Sequence, residues 1–220
     1  MHYSLAEENY LKAIFKLSEK KKVNVLTNDI AELLQTKAAS VTDMLQKLSE
    51  KKMIRYKKYQ GVTLTVAGEK VALDIIRKHR LWELFLTSKL GFSWDEVHEV
   101  AEQLEHIRSE KLVRHLDQFL GKPKFDPHGD PIPDEHLNIH SNKAFPLSDA
   151  TSSQVVYICG VIDHQSSFLK HLDKCGLSLG MKLKVKSIID YDKSMNISIL
   201  HNRQLLHVSH EVAKNILVTL

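Results

Sequence analysis

Six side chains between residues 79 and 106 stand out as candidates to bind divalent cations: His79, Glu83, His98, Glu102, Glu105 and His106. The last four stand at i, i+4, i+7 and i+8. At about 100° per residue they fall within roughly a quarter to a third of a helix circumference. His79 and Glu83 share a face at i, i+4. Imidazoles and carboxylates without a thiolate lean towards Mn²⁺ or Fe²⁺, although affinity alone would favour Zn²⁺ or Cu²⁺. A lone His-x₃-Glu is ordinarily a solvated acidic face. Two such clusters on successive helices, next to a basic unit, favour the metal reading. The same set could serve a metallohydrolase or an oxygenase. The chain has no His-Glu-x-x-His, no Gly-rich phosphate loop and no nucleophile elbow. No enzyme is expected.

A second group of side chains suits an anionic polymer. Lys37, Ala39, Ser40, Thr42, Asp43, Gln46 and Lys47 lie at the start and along one face of an expected helix over 39–51, with Val41, Leu45 and Leu48 turned inward. Polar groups there can bond base edges or phosphates, and the Ala methyl can meet thymine methyls. Lys57, Lys58 and Tyr59 occupy the tip of an expected hairpin, where they would track a phosphate backbone, with Lys51, Lys52 and Arg55 nearby.

The elements that must position these groups are legible in the pattern. Ser4-x-x-Glu7 is a capping box, and Leu5, Tyr10, Ile14 and Leu17 carry a helix to about Ser18, broken by Lys20-Lys21-Lys22. Asn28 caps a short helix through Leu34, and the 39–51 helix follows after a tight turn. Residues 54–65 alternate about Gly61 as a β-hairpin. The order is that of a winged helix-turn-helix, in which the second helix enters the major groove. A long helix runs from about Gly68 to Leu90 and ends at Gly91. Ser93-x-x-Glu96 opens another helix to about residue 107, and a shorter one runs from Ser109 to Gly121. Phe125–Pro133 is neither helix nor sheet, polar residues continue to about Asp149, and His128, His136 and His140 read as linker surface. After Gln154 the composition turns β-like: strands are expected at 155–158, 182–186, 196–200 and 204–208, with a helix near 166–174. The expected fold is mainly α with a small C-terminal β-barrel. Its parts are a winged helix-turn-helix domain at 1–70, a helical domain bearing the metal-type side chains at 71–133, a linker at 134–150 and the small barrel at 151–220.

Composition narrows the class. The 220 residues are 43% hydrophobic and 26% charged, enough for a packed core and incompatible with disorder throughout. No stretch approaches the ~18 apolar residues of a spanning helix, and the N-terminus lacks the build of a signal peptide, so a cytoplasmic chain without membrane contact is expected. Cys159 and Cys175 make no disulfide framework and read as core residues of the tail. The net charge of +4 hides an asymmetry: residues 1–80 carry 16 Lys/Arg against 9 Asp/Glu, residues 81–150 carry 7 against 13 with six of the 13 histidines, and residues 151–220 carry 8 against 5. A basic segment followed by an acidic, His-rich one suits an anionic partner for the first and cations for the second. Two solvated faces would give the same sums.

Four segments carry a family resemblance: Glu7-Glu8-Asn9-Tyr10-Leu11-Lys12-Ala13-Ile14, Arg77-Lys78-His79-Arg80-Leu81-Trp82-Glu83, Val97-His98-Glu99-Val100-Ala101-Glu102-Gln103-Leu104-Glu105-His106 and Pro127-His128-Gly129-Asp130-Pro131-Ile132-Pro133. Together they resemble the diphtheria-toxin-repressor (DtxR/MntR) family of metal-dependent transcriptional regulators. The tail from about 151 is similar to its FeoA-type, SH3-like domain. The resemblance implies a homodimeric repressor on a palindromic double-stranded DNA operator, controlling metal-ion homeostasis. It also implies two metal sites per subunit: one of Asn9, Glu102, Glu105 and His106, the other of His79, Glu83 and His98 completed from the tail by Asp163. Iron-type members have Cys where this chain has Glu102 and Met where it has Asn9. The harder oxygen donors here make Mn²⁺ the expected ion and Fe²⁺ the alternative. Manganese-type members have Glu where this chain has Lys12, which argues against their closely spaced ion pair. Outside the family reading stands a winged-helix regulator that answers to a small organic ligand.

Overall fold

A computed structural model describes residues 3–21, 24–139 and 143–220; Lys22 and His140 lie outside them. The chain forms two compact units, Met1–His79 with Leu104–Ser109 and Pro133–Asn138, and Arg80–Gln103 with Glu110–Ile132 and Ile139–Leu220.

In the first unit, helix α1 (Leu5–Lys21) starts at the expected capping box: Glu7 N–H donates to Ser4 Oγ at 3.3 Å and Ser4 N–H to Glu7 Oε2 at 3.0 Å. Tyr10, Leu11, Ala13, Ile14 and Phe15 are buried, so α1 is the unit's central helix. Against it pack α2 (Thr27–Leu33) and α3 (Ala38–Glu50), the latter through buried Val41, Leu45 and Leu48. Strands β1 (Ile54–Lys57) and β2 (Gly61–Leu64) form the hairpin, in register from Ile54↔Leu64 to Lys57↔Gly61. Val25 bridges Val62 from the other side. Gly61 sits at φ +90°, and a Cβ there would meet Val25 O at 2.7 Å, so the close bridge requires glycine. Helix α4 (Val66–Leu90) then leaves the wing.

In the second unit, Leu81 of α4 packs with Val113 and Leu116 of α6 (Glu110–Phe119) and with Ile132, flanked by Trp82, Leu84, Phe85 and Leu120. Helix α5 (Val97–Leu104) is shorter than the 93–107 expected, because Ser93 spends its hydroxyl on Glu96 Oε2 at 2.7 Å in a turn that precedes it. The tail holds β3 (Phe145–Pro146), β4 (Val155–Val161), α7 (Ser166–Lys174), β5 (Lys182–Ile188), β6 (Met195–Ile199), β7 (Leu205–Val208), α8 (His210–Ala213) and β8 (Ile216–Thr219). Its core gathers Val156, Ile158, Leu183, Val185, Ile197, Ile199 and Val218 of the sheet with Leu169 and Leu172 of α7.

The barrel expectation is corrected here. The six strands run antiparallel in the order β3-β8-β4-β5-β6-β7 and the sheet stays open, since among the described residues β3 and β7 do not pair. The terminal strand β8 inserts between β3 and β4, two pairings that strand periodicity does not encode. Also among the described residues, no helix is long and apolar enough to cross a membrane.

The 125–132 turn is fastened to the tail through Gly129. It stands at φ +87°, and a Cβ would lie 2.1 Å from Cys159 O and 2.4 Å from Gly160 Cα. We expect Gly129→Ala to cost at least about 2 kcal/mol, from left-handed strain and a backbone clash, read as a lowered denaturant midpoint. A change under about 0.5 kcal/mol would show that the seam yields freely.

Candidate metal centre and nucleic-acid surface

Two clusters of ligand-type side chains emerge, one in each unit. In the first unit, Glu8 and Lys12 are one turn apart on α1 and both address the segment after α5. Lys12 Nζ donates to both oxygens of Glu105, at 2.9 and 2.6 Å, and His79 Nδ1 lies 2.6 Å from Glu105 Oε2. His106 Nδ1 is 2.6 Å from Glu8 Oε2. Glu105 is only 1% exposed. Burial would raise its carboxyl, yet the His79 hydrogen bond and the Lys12 charge hold it below the usual carboxylate range. A lysine ammonium therefore already neutralises the central carboxylate of this set. Asn9 lies exposed on α1 beside Glu8. Glu8 and the pairing role of Lys12 were missed by sequence reasoning. Their signal was a charged pair one turn apart in a helix whose 10–15 run is otherwise apolar.

In the second unit, Glu83 of α4 is 2% exposed and its Oε1 lies 3.2 Å from His98 Nδ1. His98 Nε2 is 3.4 Å from Glu102 Oε1, one turn on along α5. His79 precedes Glu83 by one turn of α4. The linker supplies two further groups, and here the surface reading of His128 is overturned: it is buried, and its ligand nitrogen, Glu83 and buried Asp126 lie within 4.8 Å of one another. The turn folds back because Asp126 Oδ1 accepts the backbone N–H of His128 at 2.8 Å and of Asp130 at 3.0 Å. Apolar Ile132 anchors it in the core.

The orientation of His128 is chemically specific. Its Nε2 contacts Trp94 O at 2.7 Å, and a carbonyl can only accept, so Nε2 carries the proton. Nδ1 of the neutral ring is then a bare lone pair, buried with no hydrogen-bond partner and 3.7 Å from Glu83 Oε2. A ring nitrogen fixed by a carbonyl, with the other aimed at carboxylates, is how imidazole is presented to a metal. Trp94 and His164 each stack on the ring, at 6.3 and 4.8 Å between centroids. Positive charge is short in this pocket: Arg80 Nε stands 3.7 Å from Asp126 Oδ2 while its Nη2 serves Asp130 at 3.1 Å. Burial, with Asp130 and Glu83 adding repulsion, pushes Asp126 up to about 8. The residues fit a divalent cation. Asp163 spends Oδ1 on the Gln165 N–H at the start of α7, at 2.9 Å.

The nucleic-acid candidates are displayed on α3 and the hairpin. Lys37, Ala39, Ser40, Asp43, Gln46, Lys57, Lys58 and Tyr59 are exposed, and Thr42 is half-buried with its hydroxyl on Ala38 O at 3.0 Å. Tyr59 is 89% exposed at φ +65°, with Lys58 Nζ 5.2 Å from its ring centroid. Lys47 differs from these: its Nζ lies 3.2 Å from Glu7 Oε1.

Comparison with known proteins follows the same division. Residues 3–62 match the iron dependent repressor N-terminal DNA binding domain, residues 65–134 the iron dependent repressor metal binding and dimerisation domain, and residues 145–220 the FeoA domain. The iron-dependent repressor IdeR of Mycobacterium leprae (strain TN) is 35% identical over 126 residues, 57% of this chain and 54% of that repressor, so the chain spans about half the length of this relative. The diphtheria toxin repressor of Corynebacterium diphtheriae is 26% identical over 215 residues, 95% of this chain and 94% of that one. Among solved structures, a manganese-dependent transcriptional repressor in complex with manganese superposes with TM-score 0.86 at 31% identity, over 97% of this chain and 99% of that one. ScaR with bound Zn²⁺ gives TM-score 0.76 at 31% identity, over 97% and 98%.

Proposed function

This chain belongs to the iron-dependent repressor family, and from that premise we propose that it is a metal-dependent transcriptional repressor, acting as a homodimer on a palindromic DNA operator to govern metal-ion homeostasis. We assign residues 1–70 to DNA reading, 71–133 to metal binding and dimerisation, and 151–220 to the tail, with 134–150 as connector. The observation that carries the metal half is the buried Glu83–Asp126–His128 cluster with its unpartnered imidazole nitrogen.

One site is proposed at Glu83, His98, Asp126 and His128, with His79 and Asp163 as expected contributors. The other is proposed at Glu105 and His106, with Asn9 and Glu102. The ion supplies fixed positive charge among these carboxylates and imidazoles. Mn²⁺ is proposed over Fe²⁺, because carboxylate and amide oxygens outnumber softer donors and no thiolate is among them. Support comes also from the similarity to a repressor solved with manganese.

The chain's own residues then define the work. Glu8 and Lys12 of α1 hold His106 and Glu105. Charge added at that pair bears directly on the helix against which α3 packs. The exposed edge of α3 reads bases and Lys57, Lys58 and Tyr59 take the phosphate backbone, two recognition helices of a dimer meeting successive major grooves about 34–36 Å apart.

Selection of duplexes from a random pool by the purified chain, with Mn²⁺ or with chelator, tests the reading. One palindrome enriched only with Mn²⁺ supports it; enrichment regardless of metal removes the metal half. Lys58→Ala is expected to weaken binding to every sequence and to flatten the salt dependence by about one unit. An unchanged slope removes Lys58 from the phosphate contact.

A further inference from the structure

Glu7 of α1 bonds neither of the ligand pairs just described but the end of α3. It is 1% exposed, yet it is fully engaged. Its Oε1 receives Lys51 Nζ at 2.7 Å and Lys47 Nζ at 3.2 Å, and its Oε2 accepts the Ser4 N–H at 3.0 Å. Lys47 lies in the last turn of α3 and Lys51 is its C-cap residue. Glu7 therefore grips the C-terminal end of the helix whose N-terminal half carries Lys37, Ser40 and Asp43.

The next residue along α1 does something different. Successive helix positions are turned by about 100°, so Glu7 and Glu8 address different neighbours. Glu8 holds His106 and, one turn on, Lys12 holds Glu105. One rigid helix thus bonds the ligand-bearing segment through Glu8 and Lys12 and the base of α3 through Glu7. The lever is long: thirteen residues of α3 span about 20 Å, so a 10° tilt about its gripped end moves the far end by roughly 3 Å, a hydrogen-bond length. Apolar packing of Val41, Leu45 and Leu48 resists separation, but it is less directional than a buried carboxylate bonded to two ammonium groups.

Resting on the metal-dependent DNA-binding reading, we propose that Glu7 is a positioning residue that fixes the tilt of α3 on α1, so that a change at Glu105 and His106 reaches the recognition helix as a change of orientation. Glu7 touches neither ligand nor DNA in this scheme; it acts through Lys51 and Lys47.

The test compares the full-length parent, Glu7→Gln and Lys51→Gln in two separate titrations. The first measures Mn²⁺ binding alone; the second measures duplex affinity with Mn²⁺ and with chelator, on the palindrome selected by the parent. Both variants are expected to bind Mn²⁺ within about twofold of the parent while the gain in duplex affinity that Mn²⁺ confers falls at least tenfold. The double variant should lose no more than either single one, since both remove the same bond. A gain that survives in a folded Glu7→Gln or Lys51→Gln overturns the proposal and leaves the repressor reading intact. A gain lost together with Mn²⁺ affinity also overturns it, because Glu7 would then be acting on the ligand set. If the parent itself shows no Mn²⁺-dependent gain, the underlying reading falls and this one with it. Should Glu7→Gln fail to fold, Lys51→Gln with Lys47→Gln carries the same comparison.

Discussion

Replacing Glu105 by alanine is expected to destabilise the metal-free protein by about 3–5 kcal/mol, the cost of leaving one member of a buried ion pair uncompensated. Lys12 is 7% exposed and Glu105 1% exposed in their side chains, and the ammonium spans both carboxylate oxygens at 2.9 and 2.6 Å. The substitution takes both Glu105 bonds from the ammonium, which keeps His79 Nδ1 at 3.5 Å, and removes the 2.6 Å contact of His79 Nδ1 with the carboxylate. Lys12→Met in the same chain should restore most of the loss, because an apolar side chain of similar length leaves nothing to solvate. Denaturant titration of the parent, both single variants and the double variant reads this as a coupling energy. A cost below about 1 kcal/mol for Glu105→Ala would mean that the pair is exchanged for water in solution. The double variant is accordingly the background in which loss of metal-activated DNA binding at Glu105 can be read without a folding defect.

The second large effect is expected at His128. His128→Ala should lower Mn²⁺ affinity by at least the 10–100-fold that even outer-shell losses cost at metal sites. The same site sets a pH dependence whose sign follows from two shifts. Burial alone would lower His128, but Glu83 and Asp126 raise it above its ordinary value. Asp126 is raised to about 8, chiefly by burial. Both groups hold a proton more tightly folded than unfolded. The stability each contributes is complete below its unfolded pKa and is lost as pH rises through the folded one. The metal-free protein should therefore weaken progressively on going from about pH 4 to pH 8. Cation and proton compete for the same atoms, so Mn²⁺ affinity should climb over the upper part of that window and level off only above about pH 8. Thermal melts at pH 6 and pH 8, with Mn²⁺ and with chelator, check both limbs; an Mn²⁺-induced stabilisation that is larger at pH 6 would contradict the assignment. In His128→Ala the Mn²⁺-dependent part should shrink at both values.

Much of this arrangement is written in local pattern. The capping box at Ser4 and Glu7, the inward spacing of Val41, Leu45 and Leu48, and the alternation about Gly61 gave the helix, helix and hairpin order with boundaries off by a residue or two, apart from the three further residues of α1. The i, i+4 pairs His79/Glu83 and His98/Glu102 were legible because a helix forces such neighbours together. What stayed hidden was tertiary. Periodicity is silent about a turn that doubles back, so His128 read as surface although Asp126 bonds two of the turn's backbone amides and Ile132 is buried. Lys12, inside the buried run from Tyr10 to Phe15, was read only as a departure from a family pattern, and its true partner Glu105 lies 93 positions away. The open sheet was missed because β8 is a short terminal run whose place between β3 and β4 depends on long-range pairing.

The fastening of the 125–132 turn has a kinetic side. Val161 N–H, at the end of β4, donates to His128 O at 3.0 Å, next to the place where Gly129 lies against Cys159 and Gly160. The carbonyl of a proposed ligand residue is thus an acceptor for the tail's own strand. Opening of the turn is expected to expose that amide, so exchange of the single backbone hydrogen at Val161 with solvent deuterium should count how often the turn lets go of the strand.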